Sequence, residues 1–245
     1  MPKYFFPAGD AGEALTLRGE TAHHLLHVLR LKPGARITLC DGNCRDYAAV
    51  LREVDAKGAS CLLELSPPVL CETEPFIPVT LYQALPKGDK METVIQKSVE
   101  LGVHKIIPLY TAHSLVKNAE KKIARYQKIA EAAAGQSMRG IIPLISPPMK
   151  FPQALGEAFF PVHWLVAVSP SEAPDHSPPV SLRSFFRAHA SGSIGLWIGP
   201  EGGFSPEEIT ALIAAGATPI TLGKRVLRTE TAALAALAQI NGITE

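Results

Sequence analysis

The stretch Ile194-Gly-Leu-Trp-Ile198 runs directly into Gly199-Pro-Glu-Gly-Gly-Phe-Ser205, and a helical pattern follows from Pro206 to Ala215. A short apolar run, a glycine-rich turn and a capped helix form a strand-loop-helix unit. Glycine at three of the five positions 199–203 allows a tight loop whose backbone amides approach a ligand, and loops at the carboxyl ends of parallel strands are where such sheets bind. The bland alternative is a β-to-α turn with Ser205 as the N-cap. A second unit of this kind follows. The strand Pro219 to Leu222 enters Gly223-Lys-Arg-Val-Leu-Arg228-Thr-Glu-Thr231, and an Ala/Leu-rich helix continues to Ile240 with Thr229 as its natural N-cap. Charges at Arg228 and Glu230 beside that cap are awkward for a core and useful for a site.

Working outward, the same alternation extends back to Val79. Strands are expected at Val79–Ala84, Lys105–Tyr110, near Ile141, and at His163–Val168, with helices at Asp89–Leu101 and Glu120–Met138. This βαβ series predicts a mostly parallel sheet covered by helices, an α/β fold. Before it, Ser66 to Pro78 carries four prolines in thirteen residues and reads as a linker, placing domains at 1–72 and 73–245. The first domain reads as a small antiparallel β unit, with strands at Arg36–Cys40, Tyr47–Val54 and Ala59–Leu65 and turns at Asp41-Gly42 and Ala56-Lys57-Gly58. A helix capped by Thr21 precedes it, running to about Leu31. Pro170 to Pro179 reads as a Pro/Ser-rich loop.

Length and composition fit a globular chain: 245 residues, 47% hydrophobic and 19% charged, with a net charge of only +1. The longest uncharged stretches, such as Ala158–Ser171 and Thr231–Thr244, fall short of the ~18 apolar residues of a spanning helix. The N-terminus MPKYFFPAGD lacks a signal-peptide apolar region, so the chain is read as cytosolic. Charge is unevenly spread. Residues 73–150 hold 11 Lys/Arg against 6 Asp/Glu, an excess of five that suggests a phosphate-rich partner where it is not simply a solvated helix face. Cys40, Cys44, Cys61 and Cys71 lack zinc-site spacing and read as reduced structural thiols.

Other chemistries find little support. No GxGxxG follows a strand and no GxxxxGK[ST] occurs, which argues against NAD and ATP. His23 and His27 have i, i+4 spacing without the Glu of HExxH. Ser114-Leu-Val-Lys117 matches SxxK without its companion motifs, and Gly135-Gln-Ser-Met-Arg-Gly140 has one residue too many for a GxSxG elbow, so a serine hydrolase is a distant alternative.

The loops Ile198-Gly-Pro-Glu-Gly-Gly-Phe204 and Leu222-Gly-Lys-Arg-Val-Leu-Arg-Thr-Glu-Thr-Ala-Ala233 closely resemble those of the RsmE family of SPOUT RNA methyltransferases. The resemblance covers nearly the whole chain. His24-Leu-Leu-His-Val-Leu-Arg-Leu31 with Asp41-Gly42 is similar to the family's N-terminal PUA-like β-barrel domain. Ala84-Leu-Pro-Lys-Gly-Asp-Lys-Met91 through Glu100-Leu-Gly102, and Ala130 to Arg139, are similar to the first half of its catalytic domain. The chain departs from the family pattern at Ala112-His113, where Glu-Arg is usual, at Gly135 in place of a Glu, and at Lys224 in place of a Pro. These departures are expected on the RNA-facing side.

The resemblance implies a trefoil-knotted α/β domain that binds S-adenosylmethionine, acts as a homodimer and needs no metal. It implies methylation of N3 of one uridine, uridine 1498, in 16S ribosomal RNA, with the RNA expected within the small ribosomal subunit. Carried onto this sequence, the cofactor residues are Val168, Ile198, Gly199, Pro200, Gly202, Gly203, Leu222, Gly223, Val226, Leu227 and Thr229. Uridine N3 must lose a proton before it attacks, which calls for a carboxylate base and an Arg fork for the charge spreading onto O2 and O4. Arg228, Glu230 and Glu201 are the polar groups nearest the two loops, with Arg228 expected as a buried guanidinium. Lys87, Lys90, Arg139 and Arg30 are the expected RNA contacts. The rival from another class is a non-catalytic RNA-binding ribosome assembly factor using the same basic surface.

Overall fold

The computed structural model describes residues 2–55, 59–116, 118–156, 162–170, 172–173, 177–189 and 191–245. The turn expected at Ala56-Lys57-Gly58, the SxxK lysine Lys117, and part of the loop from Pro170 to Pro179 lie outside these residues. The chain divides into two compact units, one of residues 1–74 with 134–142 and one of residues 75–133 with 143–245.

The first unit contains β1 (Tyr4–Phe5), β2 (Ala14–Arg18), α1 (Gly19–His23), β3 (Arg36–Cys40), β4 (Arg45–Val54), β5 (Ser60–Leu65) and β6 (Val69–Leu70). The strands form a curled sheet in the order β1-β3-β4-β5-β2, antiparallel except for the β1–β3 pair, with β6 on β4. Alternation along β2 and β4 turns Leu15, Leu17, Ala49 and Leu51 inward onto Leu39, Leu63 and Leu25. The expected Thr21-capped helix to Leu31 is different. Helix α1 starts at Gly19 after an extended Arg18, and the chain continues as one π-turn, His24–Val28, before Arg30 adopts a left-handed φ of 53°.

Residues 134–142 belong with this unit. The Lys3 amide donates to the Gly135 carbonyl at 2.9 Å, and a Cβ at Gly135 would sit 2.4 Å from the Lys3 carbonyl oxygen. Gly135 is therefore a close-approach glycine, and its departure from the family pattern is structural rather than RNA-facing. Arg139 is corrected in the same way. It is 2% exposed and its guanidinium forks onto Glu74, whose carboxylate also accepts the Gly140 and Ile141 amides. A buried, fully engaged arginine offers nothing to a phosphate.

The second unit contains β7 (Val79–Ala84), α2 (Lys90–Glu100), β8 (Lys105–Tyr110), α3 (Ile123–Gln136, its last turn in the first unit), β9 (Leu144–Ile145), β10 (Met149–Lys150), α4 (Phe151–Gly156), β11 (His163–Ala167), β12 (Val180–Ser181), α5 (Leu182–Ala188), β13 (Ile194–Ile198), α6 (Pro206–Ala214), β14 (Thr218–Thr221) and α7 (Thr229–Thr244). The strand expected near Ile141 lies at Leu144–Ile145 instead. All strand pairs here are parallel, in the order β10-β8-β7-β13-β11-β14-β12, with β9 beside β8. The expected parallel α/β sheet is thus present. β13 enters between β7 and β11, and β14 between β11 and β12, so neither strand that ends in a glycine loop is an edge strand. Trp197 of β13 is fully buried, stacked on Tyr82 at 4.3 Å and met edge-on by Phe151. This aromatic floor fixes the strand end from which the first glycine loop springs.

Candidate active site

The carboxyl ends of β11, β13 and β14 and the start of α7 enclose a cavity of about 390 Å³. Each of the eleven residues expected to hold a cofactor lines it, from Val168 and Ile198 to Leu227 and Thr229, and so do Arg228 and Glu201. Side chains 24 to 61 residues apart in sequence converge because three parallel strands end at one level.

The first glycine loop is held from several directions. Gly203 has φ +68°, a left-handed conformation that favours glycine, and its amide closes a turn onto the Pro200 carbonyl at 3.0 Å. A Cβ there would meet the Glu172 carboxylate at 1.8 Å. The side chain of a substituted residue would therefore strike protein rather than ligand, which corrects the simple idea that Gly203 only makes room for the ligand. His113 Nδ1 lies 2.9 Å from the Gly202 carbonyl and 3.1 Å from that of Gly203; both partners are acceptors, so Nδ1 carries the proton. His113 braces the loop from behind. This exposed departure from the family pattern thus touches the cavity wall.

Behind the loop, Ser205 caps α6 in a full capping box. Its hydroxyl accepts the Glu208 amide, and Glu208 accepts the Ser205 amide at 3.0 Å and the Ala112 amide at 2.8 Å. The β-to-α turn capped by Ser205 is thus present, and the same loop lines the cavity.

Thr229 ties the two loops together. It is the first helical residue of α7, and Arg228 takes the N-cap position, extended and without a side-chain capping bond, in place of the expected Thr229 cap. The Thr229 side chain is thereby free to turn inward. Its hydroxyl donates to the Gly199 carbonyl at 2.6 Å and accepts from Gln83 Nε2 at 2.9 Å, while Gln83, fully buried on β7, also donates to the Ala84 carbonyl. Gln83 was not anticipated from sequence. An isolated glutamine in an apolar strand carries no periodic signal, although a polar residue at a position buried on both faces needs partners.

The charged groups sort themselves clearly. Glu201 accepts from Lys90 Nζ at 2.6 Å and from the Lys87 amide at 3.2 Å. Partial burial pushes its pKa upward, but the Lys90 hydrogen bond and the backbone amides outweigh this and hold the carboxyl below the ordinary glutamate range. Glu230 differs. Its Oε2 is out of solvent with no hydrogen-bond donor, and Lys90 Nζ is 4.0 Å away. Arg228 lines the cavity as an exposed side chain, correcting the expected buried guanidinium, because the N-cap position faces outward. Lys87 and Arg30 are exposed, while Lys90 is committed to Glu201. Lys97 on Glu100 and Arg125 on Glu92 pair within residues 73–150 and leave the segment's excess of five unchanged, whereas Glu201 offsets Lys90 from outside the segment. Glu172 and Arg225 also line the cavity and were missed; Glu172 follows the end of β11, where the carboxyl-end rule would have pointed.

Comparison with known proteins decides the family. A profile described as "RNA methyltransferase domain" matches residues 72–241, and one described as "RNA methyltransferase PUA domain" matches residues 17–64. The chain belongs to this RNA methyltransferase family. Two relatives called ribosomal RNA small subunit methyltransferase E are 36% identical over 94% of this chain and 74% of theirs, from Synechocystis, and 35% identical over 100% of this chain and 98% of theirs, from Bacillus subtilis. A solved structure of the Neisseria gonorrhoeae ribosomal RNA small subunit methyltransferase E, bound to S-adenosyl methionine, superposes with a TM-score of 0.85 at 32% identity, covering 99% of this chain and 97% of that one. In this methyltransferase the cavity fits a nucleoside-sized ligand with a cationic end. Apolar Val168, Leu222 and Leu227 and the backbone of the glycine loops form its walls, a Cβ on Gly223 would meet nothing within 4 Å, and the Glu172 carboxylate stands at its edge.

Proposed function

We propose that this protein transfers a methyl group from S-adenosylmethionine to N3 of a single uridine, uridine 1498, of 16S ribosomal RNA. The observation that carries the reading is the cavity at the ends of β11, β13 and β14, in which every family-matched cofactor position converges. The bound cofactor supplies a methyl group already activated by a sulfonium, so the protein's own residues have to align and deprotonate.

Of the carboxylates at the cavity, Glu172 stands at its edge and Glu201 in its wall, while Glu230 lies outside the lining, next in sequence to Thr229, and their surroundings divide the work. Glu201, saturated by Lys90 and the Lys87 amide, keeps its negative charge and anchors the segment that starts α2. Glu230 retains an oxygen without a donor, and that oxygen accepts the N3 proton. Arg228, at the outer wall of the cavity, presents its planar fork to the charge spreading onto O2 and O4. Lys87 and Arg30 supply phosphate contacts from their exposed positions.

The same reading includes a division into an RNA-binding domain at 1–72 and a catalytic domain at 73–245, a homodimer, and a cytoplasmic site of action on the small ribosomal subunit. No helix among the described residues is long and apolar enough to cross a membrane. The insertion of β13 and β14 between strands laid down earlier supports a knotted path. Residual apolar surface on α7, with Leu234 and Ala235 half-buried and Ile243 exposed, supports a second copy as its cover.

The test is incubation of the purified protein with methyl-labelled S-adenosylmethionine and either small subunits or naked 16S RNA from cells lacking the modification, followed by mass spectrometric mapping. A methyl group on N3 of one uridine is expected. A methyl group on ring carbon or ribose overturns the proposed chemistry, and RNA binding without transfer returns the assembly-factor reading.

A further inference from the structure

Cys44 and Cys71, in the first unit, face one another. Strands β4 and β6 pair antiparallel with Arg45 opposite Leu70 and Asp46 opposite Val69, so the next residues along the same register are Cys44 and Cys71. The Cys71 amide donates to the Cys44 carbonyl at 2.8 Å. Directly opposed residues in such a pair have Cα atoms roughly 4.5–5.5 Å apart, inside the range a disulfide spans. Both side chains also converge on one point. A Cβ built on Gly140 would lie 3.0 Å from Cys44 Sγ and 3.1 Å from Cys71 Cβ.

A second observation concerns the environment of Cys71. The Lys3 ammonium, 2% exposed as a residue, donates to Cys71 Sγ at 3.2 Å while also bound to Asp46 at 2.7 Å and the Met138 carbonyl at 3.0 Å. The Thr73 hydroxyl lies 3.1 Å from the same sulfur, so Lys3 and Thr73 together hold the Cys71 side chain in place. The other thiols are placed differently. Cys40 donates to the Gly140 carbonyl and burial pushes it up to about 12; Cys61 is raised by burial in the core. Cys44 is half-buried, open enough for solvent to reach it, and adopts a left-handed φ of 59°, uncommon for a residue with a side chain.

We propose that Cys71 and Cys44 form a peroxide-responsive dithiol, with Cys71 the residue that is oxidised and Cys44 the residue that resolves it into a disulfide. The Cys71 sulfur attacks one oxygen of hydrogen peroxide and loses its proton, the O–O bond breaks, and the departing hydroxide takes up that proton as water. The Cys44 sulfur then displaces the hydroxyl from the Cys71 sulfenic acid, losing its own proton, and a second water departs. Two thiols are oxidised by two electrons in all, and one peroxide is reduced to two waters. Cys44 acts second because burial, and after it the Glu74 carboxylate, raise its thiol pKa and make it the weaker nucleophile. Once Cys71 turns toward Cys44, Lys3 loses one of its acceptors, so the new bond is registered at the buried Lys3–Asp46 pair.

The experiment treats the full chain with hydrogen peroxide, alkylates remaining thiols and maps peptides. The expected product is a peptide linking Cys44 to Cys71 with a loss of about 2 Da, two hydrogens, reversed by dithiothreitol. Cys44→Ser should instead leave a Cys71 sulfenic acid that dimedone traps, and Lys3→Met, with its fold checked by circular dichroism, should slow oxidation of Cys71 by ~10-fold. The proposal is overturned if both thiols of the wild-type chain remain alkylatable after peroxide, if Cys71 pairs with Cys40, or if dimedone labels Cys44 in place of Cys71.

Discussion

The two glycine loops that enclose the cavity are built on opposite plans. The first, Gly199–Gly203, is gripped by Thr229 at Gly199, by His113 at Gly202 and Gly203, and rests on the Trp197 floor. The second, Gly223–Arg228, has the Thr221–Gly223 turn at its entry, and then Lys224, Arg225, Val226 and Arg228 are exposed, Val226 at 73%. A loop fixed before binding contributes shape without an ordering cost, whereas a loop ordered by its ligand spends part of the interaction on that ordering. The first loop is thus braced on several sides, and the second stands out in solvent.

The sharpest way to break this contrast is at the chemical groups on α7. Glu230→Gln removes the proposed proton acceptor while keeping size and polarity, and should lower single-turnover transfer by ~10³-fold at saturating cofactor and RNA. Cofactor affinity by calorimetry should be nearly unchanged. Arg228→Lys keeps the charge but loses the fork and should cost ~10²-fold in turnover. Since Arg228 is exposed, its replacement should leave the thermal midpoint in place. Joint loss of cofactor affinity and thermal stability would make it a structural residue of the second loop, and a wild-type rate would remove it from catalysis.

At the braced loop the expected loss is in binding. Gly203→Val combines a left-handed φ with a collision at Glu172, and backbone strain of ~1–3 kcal/mol corresponds to roughly 5- to 150-fold in cofactor affinity if it falls on the bound geometry. Gly223→Ala makes the comparison, since φ is +120° there too but a Cβ meets nothing. A larger loss at Gly223 than at Gly203 would reverse the contrast between the braced and the exposed loop. Thr229→Val tests the tie between the loops. Removing its hydroxyl should cost about 1 kcal/mol, ~5-fold in cofactor affinity. Adding Gln83→Leu should then cost less than it does alone, because the two side chains share one hydrogen bond.

How far these features were legible in the sequence follows from where each signal resides. The alternation of apolar runs and capped helices was enough for the parallel sheet, and the glycine loops were enough for the cavity, because strand ends and turn residues are local properties. Gly135 and Arg139 were misplaced and the contact of His113 was not foreseen, since each takes its meaning from a partner distant in sequence: Lys3, Glu74 and the Gly202 carbonyl. The N-cap of α7 shifted by one residue for the same reason. Local propensity favours Thr229 as the cap, but Gln83 on β7 and the Gly199 carbonyl both engage its hydroxyl and draw it into the helix. Pairing across the sheet overrides a preference of about 1 kcal/mol.

The smallest expected effect lies at Glu201, and it sharpens the contrast through pH. Its carboxyl is held below the ordinary glutamate range because Lys90 and two backbone amides, including that of Lys87, favour the charged form over the upward push of partial burial. A group whose pKa is depressed on folding stabilises the folded state above the unfolded value, near ~4.3, and that contribution fades as pH falls through the lower folded value. The wild-type thermal midpoint should therefore drop as pH is taken from about 5 toward 3, and Glu201→Gln should flatten part of that fall while leaving the midpoint at pH 7 slightly lower. Because Glu201 is about one-third exposed, with side-chain accessibility of 30%, solvent screens the pair and the difference should be small. A variant whose pH profile matches the wild type would show that the Lys90–Glu201 pair holds no stability of its own. The bracing of the first loop would then rest on Thr229 and His113 alone.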